Sequence, residues 1–459
     1  MNCGNEPSQA QVPAQQMPAD GAKPLIPRNF TLGVINGSFW LLARALTDPD
    51  TILPAFAVAL MGSNPLYVGL LVSVVNAGWF WPPLLLTPAM ATRRHRHTYY
   101  KVSAVARMFA IAAVWLSVKY LAGDSPGLAF AAIAGCYLLY TSGGGVGMVP
   151  FMSVVTDSVP AHLRGRFFAR RFFFGGLMAF AAGFWVKWLL SDDSGLHFPD
   201  SYAYLFLVAV LVNFISLSVW WFAREPEHKV ETRRLPLSRQ LLRGLRRMRR
   251  EPNFLRFTAS RVLMAAAFGL VTPFLVPFAY RALGMGEAMV GLALSAGVLS
   301  ESMLNILWGR LSAERGNRSL LVIAGAVQMG AIALLLAIPL LPALPLGRAL
   351  GLQFDLRLAA LLVVFAGVGA ARSGQNTGQM AYLLELTPER TRAVYLATYY
   401  LAALPMAFMP LVTALLIGAA GHYLLAFWLG ATAMLVDLWL YARLEPLRTG
   451  ASAAHAQAP

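Results

Sequence analysis

Long apolar stretches alternate with short polar ones along the chain, and the apolar stretches set its organisation. Runs of about twenty apolar residues recur from Thr31 to Tyr441, and a helix needs about 20 such residues to cross a hydrocarbon layer about 30 Å thick. The pattern predicts an all-α integral membrane protein with twelve transmembrane helices, over residues 31–60, 66–89, 99–121, 127–155, 168–190, 201–222, 257–281, 286–308, 319–341, 358–384, 392–417 and 421–443. The first and tenth are long enough to be tilted, broken or partly outside the membrane. Residues 1–28, rich in Pro, Gln, Ala and Gly, read as a disordered tail without a cleavable signal peptide. The expected units are therefore this tail, a six-helix bundle over 29–222, a basic linker over 223–256, a second six-helix bundle over 257–443, and a second tail over 444–459.

Composition agrees: 58% of residues are hydrophobic and only 13% charged, against about 25% charged in soluble proteins. Two cysteines, Cys3 and Cys136, make a disulfide scaffold implausible. The net charge of +16 raises a nucleic-acid partner, but it lies in short segments between spans, not on one continuous basic face, so that partner is not expected. Assigned alternately to two sides, the charge separates. Arg93, Arg94, Arg96 and Lys101, then Arg164, Arg166, Arg170 and Arg171, the Arg-rich linker, and Arg310, Arg315 and Arg318 all fall on one side. The other side is near neutral or acidic, with Asp124, Asp192, Asp193 and Asp200. Short basic loops stay in the cytoplasm, so both termini are expected there, in a plasma or bacterial inner membrane.

The linker contains SRQLLRGLRRMRR, with Leu241, Leu242, Leu245 and Met248 at helical spacing among arginines. It reads as a short helix on anionic lipid at the inner surface, or as a flexible basic linker in which Gly244 weakens any helix. Across it the chain repeats. TDSVPAHLRGRFFARRFF from Thr156 matches ELTPERTRAVYLATYY from Glu385, with Pro160 on Pro388 and Arg164 on Arg392, and VGLLVSVVNAG from Val68 matches VGLALSAGVLS from Val290. Two such matches imply two parallel six-helix halves around a central cavity, a design in which gating occurs between bundles. Asp157–Arg164 and Glu385–Arg392 are candidate cytoplasmic gate pairs, read either as state-dependent clasps or as static loop contacts.

Gly309-Arg310-Leu311-Ser312-Ala313-Glu314-Arg315-Gly316-Asn317-Arg318 resembles the loop motif G-x-L-x-x-D-R-x-G-R/K of the major facilitator superfamily. Gly309, Leu311, Arg315 and Arg318 fit it, Glu314 stands in place of the usual Asp, and Gly316 supplies a glycine one position before the motif's own, where Asn317 stands. The corresponding first-half loop, PAMATRRHRH, departs from it with Thr92 at the acid position. The resemblance covers about residues 29–443. It implies that the first, fourth, seventh and tenth helices line the passage, which points to Asn36, Arg44, Asp48 and Asp50, to Tyr137 and Tyr140, to Arg261, and to Arg372.

Charges within spans are expensive and carry a functional reading of their own. Arg44, Asp48 and Asp50 flank Pro49, where a discontinuous helix would turn both acids toward a cavity; Arg44 and Asp48 are also spaced to neutralise one another on a helix face. Arg372 precedes Ser373, Gln375, Asn376 and Gln379, the densest polar cluster of any span, read as a substrate path or as an interhelical hydrogen-bond network. Glu301 is a counter-charge for Arg372 or a proton carrier, and with Asp48 and Asp50 it completes the proton-coupling candidates. The run Ser142-Gly143-Gly144-Gly145-Val146-Gly147 reads as a site of close helix approach. It lacks the spacing of a nucleotide loop. No Cys–His–carboxylate cluster or nucleophile–base pair appears, so neither a metal, a cofactor nor an enzyme is expected.

The expected function is secondary transport of a small organic solute by alternating access, with protons as the candidate coupling ion, by a monomer. A polar or anionic solute is slightly favoured, with efflux of lipophilic compounds and a nontransporting receptor or scaffold as the alternatives. Cysteines introduced at 193 and 243 should label from opposite faces of sealed, oriented cells. Labelling of both from one side contradicts the topology.

Overall fold

In a computed structural model of the protein, which describes residues 25–90, 95–225, 237–349, 352–387 and 392–447, helix follows helix along nearly the whole chain. Residues 1–24, Thr92, Arg93, Arg94, Pro388, most of the linker before Leu237 and the end of the C-terminal tail lie outside the described residues. Leu25–Arg28, read as tail from the sequence, already belongs to the first helix.

The first expected span is two helices, α1 (Leu25–Ala45) and α2 (Ile52–Met61). The break falls at Pro49, which has no N–H for a helical ladder, and the chain restarts with the Leu53 amide donating to the Asp48 carbonyl at 3.0 Å. Then come α3 (Pro65–Met90), α4 (His97–Leu121), α5 (Pro126–Ser158), α6 (Ala161–Leu189) and α7 (Asp200–Trp221). After the linker follow α8 (Leu237–Arg250), α9 (Pro252–Val271), α10 (Leu275–Leu283), α11 (Met289–Ala337), α12 (Leu356–Leu386), α13 (Arg392–Ala403), α14 (Met409–Ala420) and α15 (Leu424–Ala442). Among the described residues, nine helices are long and apolar enough to cross a membrane. They include neither the α1–α2 pair nor α3, which stand where the first two spans were expected.

Helix α11 is two spans in one. Its 49 residues would extend about 74 Å if straight, far beyond a bilayer core. It bends at Gly316, whose φ of 78° only glycine adopts freely. Trp308 and Ala324, eight residues on either side of that bend, both lie against Gly374 of α12. The arms therefore run back along one another as a hairpin around α12. One element departs from the all-helical expectation: a two-stranded antiparallel hairpin, β1 (Pro345–Ala349) with β2 (Leu352–Asp355), precedes α12. Its strand-forming residues fall in a gap between apolar runs, where helical periodicity gave no signal.

The linker helix is present as α8, and Gly244 has a use that helix propensity hides. A side chain there would meet Thr398 of α13, so α8 docks by its glycine. Arg247 donates to the Tyr395 hydroxyl at 2.9 Å, and Leu242 and Leu245 remain exposed.

The two bundles meet most closely at the end that carries the α2–α3, α6–α7 and α10–α11 connections. Arg281 donates to Ser63 at 2.6 Å, Ser295 to the Phe180 carbonyl at 2.9 Å, and the Leu411 amide to Ser73 at 3.0 Å. At Gly291 the backbones touch: a Cβ there would lie 2.2 Å from the Gly183 carbonyl oxygen. The substitution Gly291→Leu should therefore force this end apart. Spin labels at positions 62 and 284 should report a longer separation than in the parent protein, and an unchanged distance distribution would refute the closing role of this contact.

Candidate functional site

Where α1 breaks, the backbone turn carries two carboxylates to the boundary between the bundles. Asp50 receives Arg372 of α12 in a direct ion pair and accepts from the Thr272 hydroxyl at 2.8 Å. The Arg372 guanidinium also lies 5.5 Å from the Phe268 ring centroid. Arg44, on the last turn of α1, reaches Glu301 of α11 at 3.3 Å. Each pair takes one partner from each half of the chain. Arg44 acts on Asp48 through space, but its direct ion pair goes to Glu301, because α1 ends at Ala45 and the next residues leave the helical spacing that would align the two. The direct ion pairs are Glu301 with Arg44 and Arg372 with Asp50, while Glu301 remains close enough to act on the Arg372 charge through space.

Asp48 sits differently. It is 8% exposed and accepts from the Thr51 hydroxyl at 2.9 Å and the Asp50 amide at 3.1 Å. Together Arg44, Arg372, Asp48, Asp50 and Glu301 bring two positive and three negative groups into one cluster. The cavities against it are small, about 40 Å³ beside Asp50 and Arg372 and about 30 Å³ beside Arg44 and Glu301.

Two larger cavities lie along α1 in the N-terminal bundle. One of about 350 Å³ is lined by Arg44, Tyr137 and Tyr140, and one of about 270 Å³ by Asn36, Tyr100, Arg107 and Arg171. They share Trp40, Trp79 and Met148. Asn36 donates to the Ser216 carbonyl at 2.8 Å and accepts from Arg171 at 3.3 Å. Tyr140 donates to Asn213 at 2.6 Å and accepts from Arg107 at 3.2 Å, whereas the buried Tyr137 hydroxyl has no hydrogen-bond partner among the described residues. Sequence reasoning missed Arg107, although a lone charge inside an apolar span is itself a signal. It placed Arg171 among the cytoplasmic loop charges, but that side chain turns into the bundle and is 9% exposed.

The polar set on α12 is divided by the helix itself. Gln375 and Gln379, four residues apart, face inward and are buried, while Asn376, about 100° around the helix, is exposed. Gln379 joins a network within the C-terminal bundle: it accepts from Tyr399 and from Arg261 at 3.4 Å, and donates to Tyr441 at 2.9 Å. Asp437, fully buried on α15, was also missed.

At the gate positions, Asp157 is exposed at the end of α5, and Arg164 donates to the Thr156 and Val159 carbonyls at 2.6 and 3.0 Å. It thus caps the helix it follows. Glu385 accepts from Asn317 at 2.8 Å, and Asn317 accepts from Ser312 at 2.6 Å, which ties the Gly316 bend to the end of α12. The Arg392 side chain lies outside the described residues. Gly309, Glu314 and Arg315 are exposed, and Arg318 donates to the Ala442 carbonyl at 2.5 Å.

Solved structures share this architecture. The chain superposes on a bacterial homologue of the iron transporter ferroportin in an inward-facing state with a TM-score of 0.64 at 15% identity, covering 89% of this chain and 98% of that one. A D-xylose–proton symporter gives 0.66 at 14% identity, with 92% and 98% covered. The nucleoside transporter NupG gives 0.61 at 11% identity, again with 92% and 98% covered. No curated protein matches the sequence. A family model matches residues 188–354 and 257–458, together more than half of the chain. With the helical hairpins, the cross-bundle charge cluster and this match in place, the chain belongs to the Major Facilitator Superfamily, as an integral membrane transporter and not an enzyme.

Proposed function

We propose that the protein moves a small organic solute, polar or anionic, by alternating access, and couples that movement to protons at the cluster of Arg44, Asp48, Asp50, Glu301 and Arg372. We read the structure as an inward-facing state: contacts join the bundles at the end with the near-neutral loops, and the cavity of about 270 Å³ is lined by Tyr100, Phe151 and Phe168 from the basic-side ends of α4, α5 and α6. Both termini are then cytoplasmic, in a plasma or bacterial inner membrane. α8 rests its arginines on anionic lipid, and one chain suffices.

The surplus carboxylate carries the proposal. Asp50 and Glu301 each face a guanidinium, so the third acid, Asp48, is left with neutral hydrogen-bond donors in a buried turn. One proton makes the cluster neutral, and burying an uncompensated charge is what the bilayer interior penalises most. Asp48 also accepts the Asp50 amide, so its charge acts directly on the group that holds Arg372. Proton arrival and departure at this turn thereby alter the tie between bundles. Three carboxylates, Asp48, Asp50 and Glu301, against two arginines on opposite halves give a latch with a proton-sized imbalance.

A second reading has its own support. Trp40, Trp79, Met148, Met152 and Phe172 give the N-terminal cavity an aromatic and thioether wall, which suits lipophilic compounds in an efflux carrier.

Asp48→Asn should abolish uphill accumulation in vesicles bearing a pH gradient while leaving downhill solute exchange measurable. The solute is to be chosen by ligand-induced thermal stabilisation. Accumulation that persists in Asp48→Asn, Asp50→Asn and Glu301→Gln alike removes these acids from the coupling. The latch has a separate check. Arg372→Gln leaves Asp50 facing no cation and should cost about 3–5 kcal/mol of stability, as for other broken buried pairs. Adding Asp50→Asn should restore part of the melting temperature, and an additive further loss argues against direct coupling of the two.

A further inference from the structure

Arg107 and Arg171 lie inside the N-terminal bundle, 5% and 9% exposed, and both line the cavity of about 270 Å³. Among the described residues, neither has a carboxylate partner. Arg107 donates a hydrogen bond to Tyr140, and its buried Nε–H has no acceptor among the described residues. Arg171 donates to the Gly33 carbonyl at 2.7 Å and to Asn36 at 3.3 Å. Carbonyls and rings position these guanidiniums without cancelling their charge.

The bundle is built to admit them. A Cβ at Gly143 would lie 2.6 Å from the Arg107 stem, one at Gly37 would lie 2.2 Å from Arg171 Nε, and one at Gly144 would lie 2.6 Å from the Trp79 ring. The glycine run on α5 therefore seats a cation and an indole side by side. Around them the wall is apolar, with Trp40, Trp79, Met148, Phe151 and Phe172. Two uncancelled buried cations beside flat apolar surface match a ligand with a charged end and a flat body. A guanidinium can hold a carboxylate, phosphate or sulfonate through paired hydrogen bonds, and the cavity with its neighbour of about 350 Å³ is of the size that small ligands occupy.

We propose that this cavity is the solute site and that its ligand is an amphipathic organic anion, with the anionic group on Arg107 and Arg171 and the apolar body between Trp40 and Trp79. The assignment rests on the transport reading above and names its substrate class. It moves the solute contact away from Arg372, which is occupied by Asp50.

The test uses the purified full chain in detergent, with 2-naphthoate and its neutral counterpart 2-naphthamide as probes in equilibrium dialysis. Naphthoate should bind about tenfold or more tightly than the amide, the scale of one charge-assisted hydrogen bond. Arg107→Gln and Arg171→Gln should each remove most of that preference while leaving the amide within about twofold. Arg107→Lys, which keeps the charge and serves if the glutamine variant does not fold, should give an intermediate loss. Equal affinity for the two probes, binding of neither, or a naphthoate affinity indifferent to both arginines overturns the site. So does a joint loss of both probes in folded variants, which would assign the arginines to holding the bundle. Binding needs no sealed membrane. Charge-selective binding without flux in vesicles therefore sinks only the transport reading, and proton-driven flux of a neutral solute without naphthoate binding sinks only this one.

Discussion

Charge buried across the boundary between the two bundles is the constraint around which the molecule is arranged. Asp50 and Arg372 come from opposite bundles, as do Arg44 and Glu301. In a medium that excludes water such pairs attract strongly, and each member left alone is costly. Neither bundle is electrically complete by itself. The break in α1 at Pro49 turns the carboxylates toward the boundary, the hairpin at Gly316 wraps Glu301 and Trp308 around α12, and α12 delivers Arg372. The backbone contact at Gly183 and Gly291 closes one end just beyond this cluster.

Much of this was legible in the chain. The apolar runs placed the spans, Pro49 marked the broken helix, and Gly309–Arg318 marked the turn between the arms of α11. Partner choice was not legible, because it depends on which helices meet. Arg44 and Asp48 have helical spacing, yet the turn after Ala45 parts them, and Glu301 is 257 residues away in sequence. Arg171 sits in a run of basic residues that also sets topology, so its inward rotation is hidden among neighbours that point out. Arg107 and Asp437 were visible as lone charges in apolar spans, but a search for clusters passes over single residues. The division of Gln375, Asn376 and Gln379 followed from helical geometry alone and needed only the direction of the core.

The repeat makes the two halves comparable and also shows where they part. The offset that sets Arg164 on Arg392 sets Arg171 on Tyr399. In the first half that position carries a cation bound to Asn36 beside an open cavity; in the second it carries a hydroxyl bound to Gln379 within a filled network. Equivalent backbones thus hold unlike interiors. The N-terminal bundle keeps uncancelled positive charge and space, and the C-terminal bundle keeps amides and tyrosines packed together.

The docking of α8 by Gly244 has a mechanical side. Because that helix is packed on α13, its exposed Arg239, Arg243, Arg246, Arg249 and Arg250 move with the C-terminal half, and under the proposed contact with anionic lipid they act as a rigid oar on the membrane surface. Any tilt of that half lifts or lowers these arginines relative to the headgroups, at about 1 kcal/mol for each one near an anionic surface. Rocking is then work done against the leaflet as well as against the opposite bundle. On that proposal, the fraction of acidic lipid is a thermodynamic variable of the transport cycle, able to tip the balance of states without touching the solute path.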